Sequence, residues 1–169
     1  MKMLTTCCLI MVVAVALHAN GNAQGRATAR TRQAAKQVPI VVFVCEHGAA
    51  KSVIAAAHFN RLAKERNVRL RAIARGTNPD EKIAAAAAKG LQSDGVPVGI
   101  HRPKRLSTGD VASASHVIAM CELPEAYSRN GARVEHWNDI PSVSDDYGRA
   151  RDAIVERVRH LLDKLREEQ

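Results

Sequence analysis

From residue 38 onward, short β-branched apolar runs take turns with longer stretches of helical periodicity. Ile40 to Val44, built from Ile, Val and Phe, predicts a strand, and Val53 to Arg66 predicts a helix. Arg69 to Ala74 is a second strand, closed by Gly76. Pro79-Asp80-Glu81 opens a helix through the alanine run Ala84 to Ala88, whose propensity carries it until the stretch from Gly90 to Gly95 weakens and ends it. His101 to Leu106 reads as a basic loop, and Ser107 to Asp110 as the cap of a short helix. His116 to Met120 and Arg133 to Trp137 are the third and fourth strands. Asp145 to Arg166 is a long amphipathic helix with Ala150, Ile154, Val158, Leu161, Leu162 and Leu165 on one face. This order predicts an α/β fold in three layers, with a parallel sheet covered by helices on both sides. Ligands of such sheets sit beyond the carboxyl ends of the strands. Cys45, Cys121 and the Trp137–Pro141 loop each follow a strand and so fall on one rim.

The amino-terminal residues follow a different pattern. Lys2 precedes an almost wholly apolar stretch, Leu4 to Leu17, with small residues at Ala19 and Ala23. Residues 1–23 are read as a secretory signal peptide, cleaved after Ala19 or Ala23, its apolar core being short for a membrane span. Most of that core follows Cys7, which argues against a lipid attachment there. Residues 24–37 hold Arg26, Arg30, Arg32 and Lys36 with no acid, and read as a basic flexible tether that lacks the apolar surface to fold. Export implies a periplasmic or secreted protein.

Charge changes the picture less than its total suggests. Net charge is +8, from 25 Lys and Arg against 17 Asp and Glu. Lys2 and the four tether cations account for five of them, so the body of residues 38–169 carries 20 cations against all 17 acids. With five aromatic residues in all, that body lacks the features of a nucleic-acid-binding domain. The tether itself is suited at most to weak contact with an anionic envelope surface. Once the leader is removed, Cys45 and Cys121 are the cysteines left, too few for a disulfide scaffold and without the Cys/His spacing of structural zinc. The reading calls for no cofactor and no metal.

The chemistry concentrates after the first strand, in Cys45-Glu46-His47-Gly48-Ala49-Ala50-Lys51-Ser52. A strand–loop–helix turn aims backbone N–H groups and a helix N-terminus at one point, which suits an oxyanion. The same donors stabilise a thiolate, so a cysteine here is a candidate nucleophile. The cradle would be formed by Glu46, His47, Gly48, Ala49, Ala50 and Lys51.

On these residues the chain from Val38 to Leu165 resembles the low-molecular-weight protein tyrosine phosphatase superfamily, which includes the thioredoxin-coupled arsenate reductases. Members carry a Cys-x5-Arg-Ser/Thr loop after the first strand and a late Trp-containing loop with an Asp-Pro acid. The resemblance implies a four-stranded parallel sheet and metal-free catalysis through a phosphocysteine. It makes Cys45 the nucleophile and Ser52 the hydroxyl that steadies its sulfur. Lys51 stands in the arginine position, a point charge where the family has a planar fork. His47 stands where the family usually has glycine. In Trp137-Asn-Asp139-Ile-Pro141, Pro141 occupies the expected Asp position, so Asp139 becomes the candidate acid, with Asp145 and Asp146 as alternatives. Cys121 resembles the first redox cysteine of the reductase branch, but no second thiol follows it.

Three functions fit. The first is hydrolysis of phosphate monoesters through a cysteinyl phosphate. The second is thiol-dependent arsenate reduction by Cys45 and Cys121 with an external thiol reductant. The third is a non-catalytic module that binds phosphate, arsenate or a phosphorylated partner.

Overall fold

The computed structural model describes residues 38–96, 98, 101–128 and 133–168. The signal peptide and tether read from the sequence lie outside the described residues. Chain order runs β1 (Ile40–Cys45), α1 (Lys51–Glu65), β2 (Arg71–Gly76), α2 (Ala85–Ser93), α3 (Thr108–Ser113), β3 (Ala114–Ala119), α4 (Glu125–Ser128), β4 (Val134–His136) and α5 (Tyr147–Glu167).

The four strands form one parallel sheet in the order β2-β1-β3-β4. β1 pairs on both sides, which is why its sequence is continuously apolar rather than alternating. Val41, Phe43 and Cys45 face the layer of α1, α2 and α5, while Val42 and Val44 face Leu106, Val111 and Tyr127 on the opposite side. The larger core is keyed by Phe43, whose ring lies 5.7 Å from both Phe59 and Trp137. The α/β/α layering expected from the sequence is therefore the observed fold.

Helix α5 buries every residue expected on its apolar face, and Val155 besides. It begins at Tyr147 because the Asp146 side chain accepts from the Arg149 amide as an N-cap. A full capping box, Ser107 with Asp110, opens α3. The short α4 has no counterpart in the sequence reading.

One boundary differs from expectation for a physical reason. The helix expected from Pro79 begins only at Ala85. The amides of Asn78, Asp80 and Ala84 donate instead to the carbonyls of Glu46, His47 and Ala49, at 2.8, 3.0 and 3.0 Å. Tertiary bonds to the Cys45 loop thus outcompete the first helical turn. That helix ends at Ser93, within the Gly90 to Gly95 stretch as expected, and a Cβ at Gly90 would come within 2.2 Å of the Tyr147 ring. That ring reaches past Gly90 to donate its hydroxyl to Asp94 at 2.6 Å, while Arg151 donates to the other carboxylate oxygen at 2.6 Å. His58, buried beneath, faces Asp94 at 3.5 Å.

Candidate active site

β1 ends at Cys45 and α1 begins at Lys51, so residues 46–50 must turn the chain through a tight arc. Gly48 makes the arc possible with φ of +59°, a conformation unfavourable for other L-residues. Its backbone also meets Gly76 at the end of β2. A Cβ on Gly76 would fall 2.7 Å from the Gly48 nitrogen, and one on Gly48 would fall 2.8 Å from the Gly76 nitrogen. The two glycines let loop and strand touch backbone to backbone.

The carbonyls of this loop are tied outward by the segment that follows β2. Thr77, Asn78, Asp80 and Ala84 donate to Cys45, Glu46, His47 and Ala49 in turn. Among the described residues, none of the amides of residues 46–51 donates to another backbone carbonyl. With carbonyls committed on one side, the loop presents its N–H groups on the other, together with the unsatisfied donors of the α1 N-terminus. No acidic residue occupies the first turn of α1 to offset that field.

Cys45, only 7% exposed, stands at the base of this ring with its Sγ 3.1 Å from the Oγ of fully buried Ser52. A cavity of about 370 Å³ opens above it, lined by Cys45, Glu46, His47, Ala49, Ala50 and Lys51 and, from other elements, by Asp80, Met120, Cys121 and residues 142–144. None of its lining residues is Phe, Tyr or Trp. Lys51 is among the residues lining the cavity, and its ammonium donates to the Ile140 carbonyl at 2.6 Å, bracing the loop after β4 against the start of α1.

Cys121, at the end of β3, shares the cavity with Cys45, and both are free thiols. Burial pushes the Cys121 thiol up, and negative charge on Cys45 pushes it further, against a lowering hydrogen bond from Thr77. Asp139 is placed elsewhere. It lies exposed on the turn after Trp137, hydrogen-bonded to Arg157 of α5, which holds its carboxyl below the ordinary range. It is absent from the cavity wall, and so are Asp145 and the helix-capping Asp146. Among the described residues no group of three or more His, Cys, Asp or Glu is arranged to hold a metal ion.

Asp80, Gly76 and Ile140 belong to the site without a signal in sequence that marks them. Pro79-Asp80-Glu81 has the composition of a helix start, yet Asp80 stands outside any helix, its amide bonded to the His47 carbonyl at 3.0 Å. Gly76 shows in sequence only as the end of a strand, and a backbone acceptor such as Ile140 leaves no trace there.

A loop with its carbonyls bonded outward around a cysteine, placed at the carboxyl edge of a parallel sheet, defines a cysteine-based phosphatase architecture. The chain belongs to the family of low molecular weight phosphotyrosine protein phosphatases, whose model matches residues 40–136. Its fold is similar to that of YfkJ from Bacillus subtilis, with a TM-score of 0.70 and 17% identity over 79% of this chain and 98% of the other. The YwlE arginine phosphatase of Bacillus subtilis, as a cysteine-to-serine mutant with a phosphorylated active site serine, superposes with a TM-score of 0.67 at 20% identity, over 77% of this chain and 97% of the other. A thioredoxin-dependent arsenate reductase from Corynebacterium glutamicum has a TM-score of 0.64 at 22% identity, covering 86% of this chain and 74% of its own. A search of curated protein sequences returns no match.

Proposed function

We propose that the protein hydrolyses phosphate monoesters through a cysteinyl-phosphate intermediate at Cys45. The observation that carries this reading is the Sγ of Cys45 held 3.1 Å from Ser52 Oγ beneath a loop whose carbonyls are bonded away from the cavity. A phosphoryl group resting on the loop amides has its three equatorial oxygens among N–H donors and its phosphorus in line with the sulfur. Lys51 commits one N–H to Ile140, leaving two donors for those oxygens. Once the sulfur is ionised, the Ser52 hydroxyl is the donor of their bond and favours the thiolate both as nucleophile and as leaving group of the second step. The phosphorylated active-site serine of the YwlE mutant supports phosphoryl transfer to the corresponding position of this loop.

The test is hydrolysis of p-nitrophenyl phosphate with acid-quench mass spectrometry. The expected outcome is a phosphate adduct on the Cys45 peptide and complete loss of turnover in Cys45→Ser. Turnover that survives this substitution would sink the reading. Anion binding by the wild type without any turnover would leave a receptor for phosphate or a phosphorylated partner.

A second reading rests on a specific observation, the placement of Cys121 on the same cavity wall. In an arsenate reductase the arsenic bound to the Cys45 sulfur would leave as arsenite when Cys121 attacks that sulfur, forming a disulfide. An external dithiol would then reduce the disulfide. Arsenite release that requires both Cys121 and added reductant would favour it. The signal-like leader and basic tether support export to the periplasm or beyond. A mature protein beginning at residue 20 or 24 in an extracytoplasmic fraction is the expected finding.

A further inference from the structure

The phosphatase reading leaves one chemical role unassigned within the cavity. A phosphate monoester departs as an alcohol, and its oxygen must receive a proton as the P–O bond breaks. Asp139, the residue expected to supply it, is turned outward to Arg157. We propose that His47, oriented by Asp80, is this acid.

The geometry has three parts. His47 and Asp80 line the same cavity as Cys45, so both border the space a substrate must occupy. They are joined twice: the Asp80 amide donates to the His47 carbonyl at 3.0 Å, and the Asp80 carboxylate faces His47 Nδ1 at 3.3 Å. Rotation of the imidazole away from Asp80 would therefore give up a contact that the backbone bond keeps in register. Nδ1 being turned to Asp80, Nε2 is left as the proton-carrying atom. The Glu46 carboxylate lies 3.9 Å from it, beyond hydrogen-bond reach. A carboxylate behind one imidazole nitrogen fixes the tautomer and the orientation of the ring, the arrangement by which carboxylates assist catalytic histidines generally.

The steps balance without a further reactant. The Cys45 sulfur pair forms the S–P bond while the P–O ester bond breaks, and the departing oxygen takes the Nε2 proton. Neutral His47 then accepts a proton from water as the water oxygen attacks phosphorus. The P–S bond breaks, returning the thiolate, inorganic phosphate and a protonated His47. Asp80 acts as a positioning residue and exchanges no proton with substrate.

This inference rests on the phosphatase reading, and one experiment separates their failures. Full-length His47→Gln, Asp80→Asn and Asp139→Asn would be compared with wild type on phenyl phosphate, whose leaving group needs a proton, and on 2,4-dinitrophenyl phosphate, whose leaving group does not. His47→Gln is expected to lose on the order of a hundredfold in kcat/KM on phenyl phosphate. On the activated ester kcat/KM, which ends at the cysteinyl phosphate, should stay within about threefold of wild type, since that step needs no acid there. On both esters kcat falls, because His47 is also the base of the second step. Asp80→Asn should show the same asymmetry at smaller size. Equal losses of kcat/KM on both esters would mean a structural role, and no loss at all would mean no role; either overturns the proposal. The same asymmetry in Asp139→Asn with His47→Gln unaffected would return the acid to Asp139 and overturn it too. Absence of turnover by the wild type on both esters would instead sink the phosphatase reading, and this inference with it.

Discussion

Lysine at position 51 sets the chemical ceiling of the site. An arginine would place two parallel N–H bonds on a phosphoryl group, whereas the ammonium is a point charge on a flexible stem. Here the stem is not left to wander, because Nζ is anchored to the Ile140 carbonyl at 2.6 Å. The anchor recovers some orientation and commits one of three donors. Lys51→Ala is expected to lower kcat/KM on aryl phosphates by roughly a hundredfold, the usual effect of removing one transition-state donor. Lys51→Arg is expected to raise it by about tenfold, equivalent to ~1.4 kcal/mol, by restoring the fork. Steady-state kinetics of both variants check this, and unchanged rates in both would show that the ammonium does not touch the phosphoryl group. The lysine itself was plain in sequence, but its bond to Ile140, 89 positions away, was not. The same limit explains Asp139. Its spacing from Trp137 suggested the acid, yet Arg157, one of several cations on α5, captures it from another element.

At the scale of elements, the loop between β1 and α1 owes its shape to the segment after β2. Four backbone bonds tie the two together, and the Gly48–Gly76 contact lets them approach. Replacing Gly76 by alanine sets a methyl group 2.7 Å from the Gly48 nitrogen and 2.9 Å from the His47 carbonyl carbon. Backbone rather than a pliant side chain stands in the way, so the loop must shift. A destabilisation of about 2 kcal/mol, in the range of overpacked sites, is expected together with a large loss of turnover. Denaturant unfolding and kinetics on one preparation test the pair, and full activity in Gly76→Ala would contradict the close approach. Element types were legible because period and length agree: a β-branched run for β1, an apolar stripe for α5. The start of α2 was not legible, since the amides that would have begun it are bonded to the Cys45 loop.

For the whole molecule, three histidines tie stability to pH. Burial holds His58, His101 and His116 below the ordinary value of 6.5, with the cations Arg61, Arg75 and Arg133 among the groups adding to the effect, and with Asp94 and Glu168 opposing it at His58 and His116. Because the folded state resists protonation, the unfolded chain takes up protons first as pH falls. Stability is therefore level above about pH 6.5 and declines below it. Burial alone would raise Asp110, but hydrogen bonds from Arg75 and Ser107 bring its carboxyl below 3.8, so its contribution is lost only in stronger acid. Calorimetric melting from about pH 7.5 down to about pH 5.5 should show a falling Tm, and His58→Gln should flatten the slope. A level profile for the wild type would contradict it. By itself the sequence determined the α/β layering, the cysteine loop and the resemblance to a phosphatase family, because strand content, helix stripes and a short motif are local properties. Only the tertiary structure decided which carboxylate meets the cavity and what Lys51 holds, because those bonds join segments distant along the chain whose meeting depends on how the layers pack.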